Sequence, residues 1–431
     1  MSTFPSLHWR DLPRAAGGGM GRGMSEPLAE ENWKRTFGLD LLRSVPLGVV
    51  ETVGTTFAMF VAIALLKLGD LSKSAIIGAP ALGLLLGFLG VALVRRAGWS
   101  VNVASALGWS VAAGGYAVVA LFPGDGTIFV GGIVVALLAH MLAAPMQSQI
   151  YKRHYPDAVR GRLFSVVAMC RATASAVFGY GAGLWLLGRG GDYGALFWVF
   201  AGCSVVKAVV TLGMRPVYLR KTSRFSLFES FEHLRDDAAF RKLLVTWMLL
   251  GFGNLLCMAL FVEFVTNPAY GFGYGAARVS LLTTTLPMSV FIVSVFAWGL
   301  IYDKMEFYRL RVLVNAFFFL GILVYYWAPN FTVLCVGMAL HGVGKAGGNV
   351  LWSLWTTKFA PADKVSEYMG LHTMFTGVRG VISAYFAFVM ASTLGPEVVA
   401  VVGAFFILVA SLMLIPEIRA NGRVKTHTTP S

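Results

Sequence analysis

Twelve times along its 431 residues this chain carries an apolar run of about 20 residues, the length of helix that crosses the hydrocarbon core of a bilayer. The runs fall at 43–66, 72–94, 99–122, 127–151, 162–187, 193–214, 243–266, 278–302, 310–328, 331–357, 368–393 and 396–416. In hydrocarbon a segment must satisfy its own backbone N–H and C=O groups, so runs of this length are helices. Only 13% of the residues are charged, against roughly 25% in a soluble domain. The expected fold class is therefore an all-α membrane protein with twelve transmembrane helices, and the lipid bilayer is its first partner.

The net charge of +14 invites a nucleic-acid reading, and the placement of the charges removes it. Sorted by the side of the membrane that twelve spans imply, 27 of the 35 Lys and Arg residues lie with both tails and the even-numbered connections. The opposite side holds Lys67, Lys73, Arg189 and Arg278, and the remaining four lie within spans. By the positive-inside rule both termini are expected in the cytoplasm, which makes this a multi-pass protein of a plasma or bacterial inner membrane. No apolar h-region precedes the first span, so no cleavable signal peptide is expected. Cys170, Cys203, Cys257 and Cys335 all fall inside spans, where a thiol behaves as a small hydrophobe, and no disulfide is expected.

A polar stretch, "RPVYLRKTSRFSLFESFEHLRDDAAFRK" at 215–242, divides the spans six and six and is expected to hold a short amphipathic helix. The chain then reads as a flexible tail (1–38), a six-helix bundle (39–214), a central loop (215–242), a second bundle (243–416) and a short tail (417–431). Three weak matches in the same order suggest a duplication. "GVALVRRAG" from Gly90 matches "GLIYDKMEF" from Gly299, Pro156 matches Pro361, and His140 matches His341, at offsets of 209, 205 and 201 residues. The two bundles read as pseudo-repeats.

Six plus six spans, a long central loop, both termini on one side, and a G-x-x-x-D-[RK] loop after spans 2 and 8 resemble the major facilitator superfamily (MFS) of secondary transporters. "GLIYDK" (Gly299, Asp303, Lys304) matches that loop; the first-half copy keeps Gly90 and Arg95 but has Val94 in place of the acid. The resemblance implies that Asp303 meets the start of span 5 and Arg162. Glu367 at the start of span 11 could restore the first-half contact with reversed polarity, by meeting Arg95 or Arg96. The other reading is that these are solvated loop charges. The resemblance also implies that spans 1, 4, 7 and 10 line a central cavity, that 2, 5, 8 and 11 flank it, and that 3, 6, 9 and 12 are peripheral.

Ionisable groups inside spans are costly and therefore functional candidates. Lys207 and Glu263 lie near enough to helix ends to snorkel or face an interface. Glu51, Arg171, Lys345 and Arg379 lie roughly 12–20 Å deep at about 1.5 Å per residue, in spans 1, 5, 10 and 11. Two readings stay open for these four. Arg171 and Arg379, in corresponding helices of the two halves, could clamp an anionic ligand through bidentate guanidinium forks, or the cations could be structural locks for Glu51, the histidines and backbone carbonyls. His140, His341 and His372 could carry protons. Gln147, Gln149, Asn349, Trp352 and Trp355 could touch a ligand, and the tryptophans equally could anchor at the membrane surface.

Other chemistries find no support. "HGVGKAGGNV" in span 10 fits G-x-G-x-x-G but lies inside an apolar helix where no dinucleotide fold can be built, so its glycines serve close helix packing or a bend beside a cavity. No metal-ligand spacing and no nucleophile–base constellation is present, so neither a metal nor another cofactor, and no enzyme activity, is expected. The expected function is alternating-access transport of a small organic solute, with an anion as the cargo the clamp reading implies, coupled to protons through Glu51, by a monomer. Multidrug efflux on the same fold and a non-transporting sensor or assembly partner are the alternatives.

Overall fold

The computed structural model describes residues 26–156, 159–219, 234–359 and 365–420. Within them the chain forms twelve helical segments. α1 runs Glu26–Thr52 and continues to Leu65 through two wide π-helical stretches, Val53–Phe57 and Val61–Leu65. α2 is Asp70–Ala97, α3 Val101–Leu121, and α4 Gly126–Leu142 extended by Ala144–His154. α5 is Arg160–Gly188, α6 Gly194–Leu212, and α7 Ala238–Ala259 extended by Phe261–Thr266. α8 begins as Ala276–Ser280, passes through a third π-helical stretch, Leu281–Thr285, and ends as Leu286–Lys304. α9 is Phe307–Tyr326, α10 Phe331–Phe359, α11 Val365–Leu394 and α12 Pro396–Leu412. Ten of these segments are long and apolar enough to cross a membrane.

Helix starts follow local chemistry. Ser100, Asp125, Asp237 and Glu306 each accept a backbone N–H at the first turn of α3, α4, α7 and α9, satisfying donors that the helix itself leaves open. α2 stops at Gly98, whose φ of 69° is the left-handed geometry that glycine adopts without strain. Two boundaries differ from the sequence reading. Residues 26–38, expected as flexible tail, belong to α1, and α7 starts at Ala238, inside the expected central loop. Of the loop expected to hold an amphipathic helix, residues 220–233 lie outside the described part.

The apolar residues divide between a packed interior and an outward face. Phe57, Tyr116, Phe197, Leu256 and Tyr325 are buried completely, whereas Val293, Leu300 and Leu93 are more than half exposed. An exposed apolar belt is what lipid requires of a helix bundle.

The two bundles meet through glycines. A Cβ on Gly377 of α11 would stand 2.6 Å from the Leu85 nitrogen of α2, and one on Gly183 of α5 would stand 2.3 Å from Ser280 Oγ of α8. These are the flanking helix pairs that the resemblance implies. The span 10 glycines also serve packing: α10 is one continuous helix, and a Cβ on Gly347 would fall 2.6 Å from Val314 and 2.8 Å from Trp298.

At the end of the molecule away from the termini the halves are pinned together. Thr55 and Thr56 in the first π-helical stretch of α1 face Thr283 and Thr284 in that of α8, with oxygen separations of 2.6 Å (Thr55–Thr284), 2.5 Å (Thr56–Thr283) and 2.7 Å (Thr56–Thr284). Lys73 at the start of α2 donates to Glu263 near the end of α7 at 3.0 Å and pairs with Asp70 at 2.9 Å. Asn267 holds the same Glu263 oxygen at 2.9 Å. Glu263 thus faces an interface, and it is buried there.

Candidate functional site

Near the middle of α1, Glu51 faces Arg171 of α5 across 3.5 Å, an ion-pair distance without hydrogen-bond alignment. The contact exists because α1 and α5 touch one turn earlier: a Cβ on Gly48 would lie 2.2 Å from the Arg171 carbonyl oxygen. Both side chains keep access to solvent, 27% and 34% of their surface, although they sit deep in the helices. From the other half, Lys345 of α10 comes within electrostatic reach of both. The three charged groups thus come from both halves and lie within electrostatic reach of one another.

His341 lies one turn from Lys345 on α10, but its ring is packed between Phe261 at 4.9 Å and Phe318 at 5.2 Å, inside the C-terminal bundle. Asn349, one turn beyond Lys345 in the other direction, is half-buried. His140 is within electrostatic reach of Arg171, and its Nδ1 is 3.0 Å from the Lys207 ammonium nitrogen. Lys207 does not snorkel. It is fully buried, with its ammonium 4.8 Å from the Trp109 ring centre.

Two candidates stand away from the junction. Gln147 accepts from Arg43 and donates to Ser105 at 2.9 Å, inside the N-terminal bundle. Arg379 does not oppose Arg171. Its guanidinium fills the notch that Gly251 leaves in α7, where a Cβ would be 2.0 Å from Cζ, and it donates to the Trp247 carbonyl oxygen. Arg379 is thus engaged within the C-terminal bundle, and the second-half cation within electrostatic reach of Arg171 is Lys345. Trp355 is no surface anchor: it is fully buried and stacked on Phe240 at 5.9 Å.

Of the loop motif, Gly299 has open space around it, and Lys304 and Arg162 are exposed. Gly90 lies 3.5 Å from Met146 by its would-be Cβ, and Arg95 is partly buried at the end of α2. Val94 is buried against Val101, Met146 and Ile150, where an acid would be out of place. The side chains of Asp303 and Glu367 lie outside the described residues.

Two further charges, Arg43 and Arg311, are missing from the sequence reading, which counts both with the positively charged connections. Arg43 is buried beside Asp40, donates to Thr211 at 3.2 Å and Tyr151 at 3.0 Å, and lies 5.3 Å from the Trp109 ring centre. Arg311 is buried with its guanidinium 3.5 Å from the Trp247 ring centre. The available signal was an arginine just inside a span, with a tryptophan two helices away in the same half.

The family description that matches this chain is Major Facilitator Superfamily, over residues 255–430. A structure of a mutant form of the nucleoside transporter NupG superposes with a TM-score of 0.72 at 12% identity, covering 89% of this chain and 99% of NupG. The inward-facing, partially occluded xylose transporter XylE from E. coli gives 0.65 at 12%, covering 89% and 97%. A POT family transporter bound to a thioalcohol-conjugated peptide gives 0.70 at 12%, covering 91% and 96%. Among curated proteins, the organic cation/carnitine transporter 7 of Arabidopsis thaliana is 26% identical over 120 residues, a match that spans 24% of that relative's length.

Proposed function

We propose that the chain, which shares the major facilitator fold and matches that superfamily's sequence model over residues 255–430, is a transporter of that superfamily and moves a small, singly negative organic solute by alternating access, coupled to protons. The observation that carries this reading is the junction site itself. Arg171 and Glu51 come from one half and Lys345 from the other, so a solute bound there touches both bodies that must rock about it. With Glu51 ionised the site holds one surplus positive charge, which a carboxylate would neutralise. With Glu51 protonated the surplus is two, so proton and anion binding reinforce each other.

Both termini are read as cytoplasmic, which makes the pinned end of the bundles the outer gate of a plasma or bacterial inner membrane protein that acts as a monomer. Neighbours on this fold carry nucleosides, xylose and peptides, so the fold leaves the cargo open and the site's charge must choose it. The test is solute exchange and proton-driven accumulation in proteoliposomes, over a panel of monocarboxylates, neutral sugars and organic cations. Accumulation of a monocarboxylate under an imposed pH gradient supports the reading. Transport of cations alone would favour multidrug efflux, and no transport of any solute would favour a sensor on this fold.

A further inference from the structure

The C-terminal bundle holds two guanidiniums, Arg311 buried and Arg379 half-buried, whose described contacts include no carboxylate. Arg311 is 3% exposed and stacks on Trp247, and Arg379 and His372 lie within electrostatic reach of it. The His372 ring meets Trp247 at 5.0 Å and Trp355 at 5.1 Å. Among the described residues, Arg311 Nη1, Arg379 Nε, the indole N–H groups of Trp247 and Trp355 and both ring nitrogens of His372 are buried without a hydrogen-bond partner. We propose that this cluster binds one small inorganic anion of the size and charge of chloride or bromide.

A buried lysine or histidine can escape its desolvation cost by releasing a proton, but a guanidinium in a protein does not. An uncompensated buried cation is strongly unfavourable, and stacking on an indole returns only part of that cost. The N-terminal half meets the same difficulty with a carboxylate: Arg43 is held by Asp40. The offset of 204 residues that carries Arg43 onto Trp247 carries Asp40 onto Leu244, a buried leucine. The second half thus keeps the arginine and the indole and lacks the built-in anion. The rings around His372 are in direct contact, with centres 5.0–5.9 Å apart, so an organic solute does not fit among them and a monatomic ion at the edge donors is the size that remains. Orphan N–H donors on a guanidinium and two indoles are the ligands such an ion takes.

The experiment is thermal unfolding of the full-length protein in detergent, in sodium chloride, bromide or gluconate at equal ionic strength, so that screening is the same in all three. The expected result is a saturable rise of a few degrees in halide over gluconate, as mass action on a folded-state site requires. Arg311→Met should abolish that rise while unfolding in gluconate no earlier than wild type, since an apolar isostere relieves an unpaired buried charge. If that variant does not fold, anomalous scattering from wild-type crystals grown in bromide reads the same point, with a peak expected beside Arg311. Equal wild-type midpoints in halide and gluconate, an undiminished halide shift in Arg311→Met, or no bromide peak at the cluster would each overturn the proposal.

Discussion

Arg311 of α9 lies with its guanidinium carbon 3.5 Å from the ring centre of Trp247 on α7, and the N-terminal half holds the reverse arrangement, Arg43 of α1 lying 5.3 Å from Trp109 of α3. Each half ties its first helix to its third by one cation and one indole, with the two residue types exchanged between the helices. Trp247→Leu should therefore destabilise the protein by roughly 2–4 kcal/mol, through lost ring volume and lost cation–π attraction, and Trp247→Phe by much less. In a cycle with Arg311→Met, unfolding midpoints should give strong non-additivity, because the two side chains share one contact.

Lys207 and His140 should respond asymmetrically. Lys207 is completely buried with His140 at 3.0 Å, so His140→Leu removes the hydrogen-bond partner and leaves a buried amine. We expect a loss of roughly 1–3 kcal/mol for His140→Leu and little or no loss for Lys207→Met, which keeps an apolar chain of similar length beside the Trp109 ring and removes the buried amine. Denaturation curves in detergent that rank the two variants in the opposite order would show the lysine to be the stabilising partner.

Glu51→Gln should preserve solute exchange across proteoliposomes and abolish uphill accumulation, because an amide keeps the shape of the carboxylate and cannot release a proton. The Glu51–Arg171 contact is loose and partly solvated, so the variant should fold normally. Accumulation at the wild-type level under a pH gradient would move the coupling group elsewhere.

The pinned end of the bundles gives a conformational prediction. Lys73→Met strands the buried Glu263 carboxylate and cuts the ion pair between α2 and α7. The hydrogen bonds of the α8 threonines to α1 and α5 would then remain at that end. A cysteine introduced as Ser280→Cys, buried at this junction, should react with a membrane-impermeant maleimide several-fold faster in the Lys73→Met background. An unchanged labelling rate would mean that the threonines suffice.

Val94→Asp restores the acid of the loop signature in the first half, yet the position is 3% exposed among Val101, Met146 and Ile150. The expected outcome is a destabilised protein, by about 2 kcal/mol or more, from an unpaired polar group in an apolar cluster. Membrane abundance and unfolding midpoint should both fall. Wild-type stability would show that an aspartate at the end of α2 reaches Arg95 or solvent.

The sequence by itself determined the number of helices, their order and the division into two related halves, because hydrophobic run length and loop chemistry are local properties that a bilayer reads one segment at a time. It also marked Glu51, Arg171 and Lys345, since a deep charge is costly wherever its helix points. The direction of a side chain is another matter. A helix turns about 100° per residue, so which neighbour a charge meets depends on the rotation of the whole helix in its bundle, which only packing decides. That rotation sends Arg379 into the notch of Gly251 and away from Arg171, and joins Lys207 to His140. Arg311 likewise reads as a loop charge in one dimension and is in fact a buried one stacked on an indole 64 positions earlier in the chain, a pairing that exists only once α7 and α9 lie side by side.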